Sequence, residues 1–212
     1  MFRAIGIICV LQFLAITSAY ACDGQPGKVI FEDKFADDSG GWDFTPPDDA
    51  VKPPVFVFAL SDKYTNMSSQ NLTFHATDGD FCVEAALPKA VAADDIPYVG
   101  IEFWATDYAN YMLLQLSAKG DLALYSKVAS KWQQIFSVQN APGFKADPGA
   151  SNALRVNTVG GKITAYLNGK LVKAVRAQVP SGDLKFGVYA QWDKKAAHPP
   201  INVTSFKVTS GQ

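Results

Sequence analysis

The acids best suited to bond-breaking chemistry are three glutamates, Glu32, Glu84 and Glu102. Glycosidic cleavage ordinarily takes two carboxyl groups, roughly 5–5.5 Å apart for retention and wider for inversion. Glu84 and Glu102 fall in separate strand-like segments, so they can flank one bond only if those segments are neighbours in register. His75 and His198 lie far apart without the spacing of zinc ligands. No Gly-x-Ser-x-Gly elbow and no Gly-rich phosphate loop occurs. Asp37, Asp38, Asp48, Asp49, Asp94 and Asp95 supply hard oxygens that could hold one structural calcium. Paired aspartates in loops also form turns with no ion. No other metal or cofactor is expected.

A second chemistry needs no bond to break. A sugar ring has an apolar C–H face and a rim of hydroxyls, so a site for it combines flat rings with amides or carboxyls. Trp104, Tyr108, Tyr111, Tyr189 and Trp192 supply rings, and Glu102, Asn110, Gln115 and Gln191 supply polar groups. Trp42 and Trp132 are expected in the core, where large aromatics bury most area.

The elements that must position these residues are strands. No stretch after residue 21 keeps a helical period, whereas short alternating segments recur between turn residues. About thirteen are predicted: Val29–Phe31, Val55–Leu60, Leu72–Ala76, Phe81–Leu87, Tyr98–Trp104, Tyr111–Ser117, Leu122–Lys127, Trp132–Val138, Leu154–Val159, Ile163–Leu167, Leu171–Val175, Leu184–Trp192 and Val203–Thr209. Asn168-Gly169, Gly160-Gly161 and Lys119-Gly120-Asp121 read as hairpin turns, the first of type I′. The proline-rich Asp37–Pro54 and the Ala141–Gly149 stretch read as irregular. Alternation puts Val99, Ile101 and Phe103 on a core face with Met112, Leu114, Leu116, Phe186, Val188 and Ala190. It leaves Glu102, Trp104, Tyr111, Gln115, Tyr189 and Gln191 on the opposite face.

The ends and the bulk composition bound the setting. Arg3, the apolar run Ala4–Ile16 and Ala19-Tyr20-Ala21 follow the plan of a secretory signal peptide over residues 1–21. Cleavage after Ala21 would leave one β-sandwich domain, residues 22–212, periplasmic or extracellular, with no membrane insertion after cleavage. Lipid attachment at Cys22 stays open, although Tyr20 and the lack of a Leu three places before the cysteine depart from that signal. Without Arg3 the charge is −2, from 18 basic and 20 acidic residues. A near-neutral chain without a basic stripe argues against nucleic acid and anionic membranes as partners. Cys22 and Cys82, the two cysteines left, invite a disulfide in an exported protein. Asn66, Asn71 and Asn202 begin glycosylation triplets that matter only on a eukaryotic secretory route.

Several motifs recur in a known order. Gly100-Ile101-Glu102-Phe103-Trp104-Ala105-Thr106-Asp107 is followed by Asn110-Tyr111, Gly120 and Trp132. Asn152–Val156, Tyr166-Leu167-Asn168-Gly169, Phe186-Gly187-Val188-Tyr189 and Val203–Val208 complete the series, and Phe31, Phe35 and Gly41-Trp42 open it. This order resembles the concanavalin A-like lectin/glucanase superfamily, nearest to its laminin-G-like and 3-keto-disaccharide hydrolase-like jelly rolls. The resemblance implies an all-β fold, an antiparallel two-sheet β-sandwich, over roughly Val29 to Thr209. Relatives often carry Arg where Trp104 stands, and the Glu-x-Asp-x-x-Glu stretch of the retaining glucanases is missing. The expected function is therefore a non-catalytic module holding a carbohydrate or related polar ligand on one sheet face. A glycoside-active enzyme and an envelope protein-interaction domain are the alternatives.

Overall fold

The computed structural model describes residues 22–210. They form fourteen antiparallel strands and no helix. The strands are β1 (Val29–Asp33), β2 (Asp49–Lys52), β3 (Val55–Phe58), β4 (Asn66–Gln70), β5 (Gly79–Ala86), β6 (Pro97–Asp107) and β7 (Asn110–Ser117). They continue as β8 (Leu122–Val128), β9 (Lys131–Val138), β10 (Ser151–Val159), β11 (Lys162–Leu167), β12 (Lys170–Arg176), β13 (Lys185–Trp192) and β14 (Ile201–Thr209). The proposed leader, residues 1–21, lies outside the described residues.

One sheet runs β12-β11-β10-β5-β14-β3-β2, with β1 also pairing with β14. The other runs β4-β13-β6-β7-β8-β9. Apolar residues at alternate positions of both sheets meet in one core, where the rings of Phe186 on β13 and Phe206 on β14 stack at 5.3 Å. Val99, Ile101, Phe103, Met112, Leu114, Leu116, Phe186, Val188 and Ala190 all lie in it, as alternation requires. Trp42 is buried there too. Cys22 and Cys82 form the expected disulfide.

Three predicted hairpins hold. Asn168-Gly169 and Gly160-Gly161 have the paired positive φ of type I′ turns, and Gly120 takes φ +85° between β7 and β8. Two elements differ from the sequence reading. β2 lies inside the proline-rich stretch, but as the last strand of its sheet it leaves one row of donors unpaired. The predicted strand Leu72–Ala76 is a bend, because Asn71 Oδ1 accepts from the backbone nitrogens of Thr73 and Phe74. The strand just before it, β4, was missed: Asn66-Met67-Ser68-Ser69-Gln70 has little apolar alternation to reveal it.

Candidate functional site

The six-stranded sheet turns one face away from the core, and most of the nominated polar residues and rings stand on it. In register, Tyr189 of β13 opposes Gly100 of β6, which opposes Gln115 of β7. Gly100 has no side chain to separate its neighbours, and a Cβ there would come within 2.6 Å of the Leu113 side chain. Gln115 Nε2 therefore donates across β6 to Gln191 Oε1 at 3.1 Å, and the Tyr189 hydroxyl donates to the same oxygen at 2.7 Å. With that oxygen engaged twice, the two N–H donors of the Gln191 amide nitrogen and the acceptor Gln115 Oε1 remain.

These groups line a hollow of about 310 Å³ together with Asn66, Tyr98, Leu113, Tyr125 and Trp132. The volume is near the lower end of ligand pockets, roughly 300–1,000 Å³. No carboxylate and no cation is in its lining.

Trp132 was expected in the core, yet it is 45% exposed on this outer face. Its indole stands edge-on to Tyr111, Tyr125 and Tyr189, at centroid distances of 5.6, 6.0 and 6.5 Å. Lys127 Nζ sits 4.8 Å from the Tyr111 ring centroid and 5.1 Å from that of Trp132, a cation–π clamp on both. Trp132 owes its place to the β8–β9 hairpin, whose Ala-Ser turn has no glycine or asparagine to announce it in the sequence. Ala129 and Ser130 both take positive φ, and the turn sets Lys127 opposite Trp132 and Tyr111. Counting alternation across that turn puts Trp132 on the face of Tyr111. Asn66, Tyr98 and Tyr125 were also missed, the first because β4 itself was missed.

Glu102 shares the face but is fully buried in it. Gly187 lies between Glu102 and Gln70 in register, and without a side chain there the two meet: Gln70 Nε2 donates to Glu102 Oε2 at 3.1 Å. The Ser68 hydroxyl donates to the other carboxyl oxygen. Burial pushes the Glu102 carboxyl up to about 7, against the pull of Ser68, Gln70 and the Lys127 charge. Burial, reinforced by the Glu102 charge, also raises the Tyr111 and Tyr189 phenols.

Two nominated residues scaffold the rim. Asn110 Nδ2 donates to Asp107, and its Oδ1 accepts from the Ala129 backbone nitrogen at 2.9 Å. It thereby braces the turn that carries Trp132. The half-exposed Tyr108 donates to Asp43 Oδ2 at 2.8 Å, and its carbonyl accepts from Lys127 Nζ at 2.8 Å.

The two nominated tryptophans of β6 and β13 are not on this face. Trp104 is 1% exposed, packed between the sheets, with its indole nitrogen donating to the Thr77 carbonyl. Strict alternation puts it outward with Glu102, but pairing slips between Phe103 and Asp107 and Trp104 itself takes φ +51°. Such a bulge turns one side chain to the other face. Trp192 is also buried between the sheets, stacked on His198 with centroids 4.2 Å apart. Its parity matches Phe186, Val188 and Ala190, so alternation alone already points it inward.

Asn110, Tyr111 and the edge of Trp104 also border a second hollow of about 530 Å³, facing Val179 and Pro180. Its two rings are 1% and 4% exposed, so it offers no open aromatic face. Glu84 stands on β5 of the opposite sheet, away from Glu102. Among the loop aspartates, Asp37 accepts from Ser39, Asp49 from the Thr45 nitrogen, Asp94 pairs with Lys194 and Asp95 with His198. Among the described residues no group of three or more His, Cys, Asp or Glu is placed to hold a metal.

No protein-family model matches the sequence, and no curated protein does either. Solved structures do. Carbohydrate binding module CBM66 from Bacillus subtilis aligns at 13% identity over 78% of this chain and 94% of its own, with a TM-score of 0.57. The catalytic domain of an endo-1,3-beta-glucanase (laminarinase) from Thermotoga petrophila RKU-1 aligns at 9% identity over 88% and 99%, with a TM-score of 0.64. The Emp47p carbohydrate recognition domain aligns at 14% identity over 86% and 96%, with a TM-score of 0.63. The shared fold is the concanavalin A-like jelly roll that the motif order implies.

Proposed function

We propose that this chain is an exported, non-catalytic carbohydrate-binding module that holds an uncharged glycan in the hollow beside Trp132. The observation that carries the reading is the lining: an open indole, tyrosine rings and paired amides, with no carboxylate. Ring faces suit the C–H side of a sugar, and the Gln115–Gln191 pair suits its hydroxyls. The neighbours in fold space include a carbohydrate binding module and a carbohydrate recognition domain as well as a glucanase. The disulfide supports an oxidising compartment, in keeping with the leader-like residues 1–21.

One observation favours an enzyme instead. Glu102 holds its proton to about pH 7, as a general acid would. Against that, glycoside cleavage needs a second carboxyl across the bond, and Glu84 belongs to the other sheet.

The test is a panel of neutral and acidic oligosaccharides, scored for retention and for released sugar. The proposal expects retention of neutral members, loss of it in Trp132→Ala, and no release. Release that disappears in Glu102→Gln would establish the enzyme, and no response to any glycan would favour a protein-interaction domain.

A further inference from the structure

The outer face of β5 carries a row of groups that grip one short segment. Asp80, Cys82 and Glu84 are alternate residues of β5, so their side chains share a face. Gln25 Nε2 donates to Asp80 Oδ1 and to the Asp80 carbonyl, each at 2.9 Å. Cys22 Sγ is bonded to Cys82. The Cys22 backbone nitrogen donates to Glu84 Oε1 at 2.9 Å. The Gln25 nitrogen donates to the Cys22 carbonyl, closing the segment as a turn over the strand.

Cys22 and Glu84 are both buried, at 2% and 3% exposure. A carboxylate on an outer sheet face costs little while water reaches it. Closed under a turn, it needs strong donors or a cation. Two cations stand in register with Cys82: Arg155 of β10, committed to Asp80 by two hydrogen bonds, and the buried Lys207 of β14. The atom placed against Glu84 is the nitrogen of the residue at which the leader motif puts the first position after cleavage. An uncleaved chain offers one amide N–H there. A chain beginning at residue 22 offers an ammonium with three donors and a full charge.

We infer that processing occurs between Ala21 and Cys22, and that Glu84 is the buried counter-ion of the ammonium this creates. Cleavage then does more than release the chain. It converts an amide–carboxylate hydrogen bond on β5 into an ion pair and locks the first residue by both its nitrogen and its sulfur. The same sulfur cannot also carry a lipid thioether, so the lipid alternative at Cys22 falls.

The intact 212-residue chain, exported in a bacterial host, provides the test. Its mass under non-reducing conditions is expected to match residues 22–212 less the two hydrogens of the disulfide. A different first residue, or the added mass of a diacylglycerol, overturns the inference. A second chain carries Gly-Ser between Ala21 and Cys22, so that Cys22 keeps an amide nitrogen; its mass verifies retention. This extension is expected to lower Tm by about 4 °C or more in the wild-type background. In Glu84→Gln the same extension is expected to shift Tm by less than half as much. Equal Tm with and without the extension in the wild-type background overturns the role of Glu84. That comparison alone decides the matter if Glu84→Gln does not accumulate.

Discussion

The Trp132 indole and the Tyr189 ring lie 6.5 Å apart, although they rise from β9 and β13, four strand positions apart in one sheet. Across a flat sheet four spacings amount to about 19 Å. The sheet must therefore curl and both side chains lean inward, and the hollow is the space they enclose. Trp132→Ala is expected to remove its only half-exposed indole. Loss of a central aromatic anchor typically costs about 2 kcal/mol or more, roughly a thirtyfold fall in affinity. Because Trp132 is outside the core, Tm is expected to move little. Titration calorimetry and thermal unfolding on the same preparation check both.

Trp104→Ala is expected to do the reverse. Its indole fills space between the sheets and donates to Thr77, so truncation should cost about 3–5 kcal/mol. For a domain of this size that is a Tm drop of roughly 6–20 °C. Affinity measured well below the lowered Tm should stay near wild type, which separates a core residue from a ligand contact.

Glu102 makes stability depend on pH, and the sign follows from its raised value. The folded carboxyl titrates near 7 against 4.5 unfolded. Between those values the native state holds the proton that the unfolded chain has lost. Stability from this group is thus complete below about pH 4.5 and disappears as the pH climbs through 7. The full difference is on the order of 3 kcal/mol. Glu102→Gln imitates the protonated form and is expected to flatten the Tm profile between pH 4.5 and 8. Asp49, raised to about 6 by burial, titrates in the same window and the same direction. The measurement is therefore the difference between the wild-type and variant profiles.

Asn110→Ala is expected to weaken binding without touching the ligand. Asn110 Oδ1 holds the Ala129 nitrogen in a turn whose two residues both sit at positive φ. Losing that acceptor loosens the β8–β9 hairpin and with it the angle of Trp132. A few-fold fall in affinity with a Tm change of about 1–3 °C is expected. Replacing Ala129-Ser130 with Asn-Gly in the variant should restore affinity, since those residues accept positive φ readily.

The sandwich was legible because its signals are local. Alternation in Tyr98–Phe103, Tyr111–Ser117 and Leu184–Trp192 reports which side is hidden, and Asn168-Gly169 reports its own turn geometry. The face opposite the core was read the same way, and Tyr111, Gln115, Tyr189 and Gln191 stand there. What alternation could not carry was a change of phase. The bulge at Trp104 inverts the rule at that residue, and nothing in Phe103-Trp104-Ala105 marks the slip. Trp132 was hidden for a related reason. Its turn is Ala-Ser, without the glycine or asparagine that advertises type I′, so the strand beyond could not be phased against β8. β4 stayed invisible because Ser69 and Gln70 are buried, and Ser68 half-buried, by pairing and by contact with Glu102 rather than by greasy alternation.

The most direct test of the central claim watches all four tryptophans at once. Two-dimensional ¹H–¹⁵N NMR of the labelled exported protein separates their indole N–H signals, and a neutral oligosaccharide retained in the panel is titrated in. The prediction is a large shift of the Trp132 indole and of the Gln115 and Gln191 side-chain amides, with Trp42, Trp104 and Trp192 nearly still. Saturable binding that leaves Trp132 unmoved while signals elsewhere shift would contradict the proposed site.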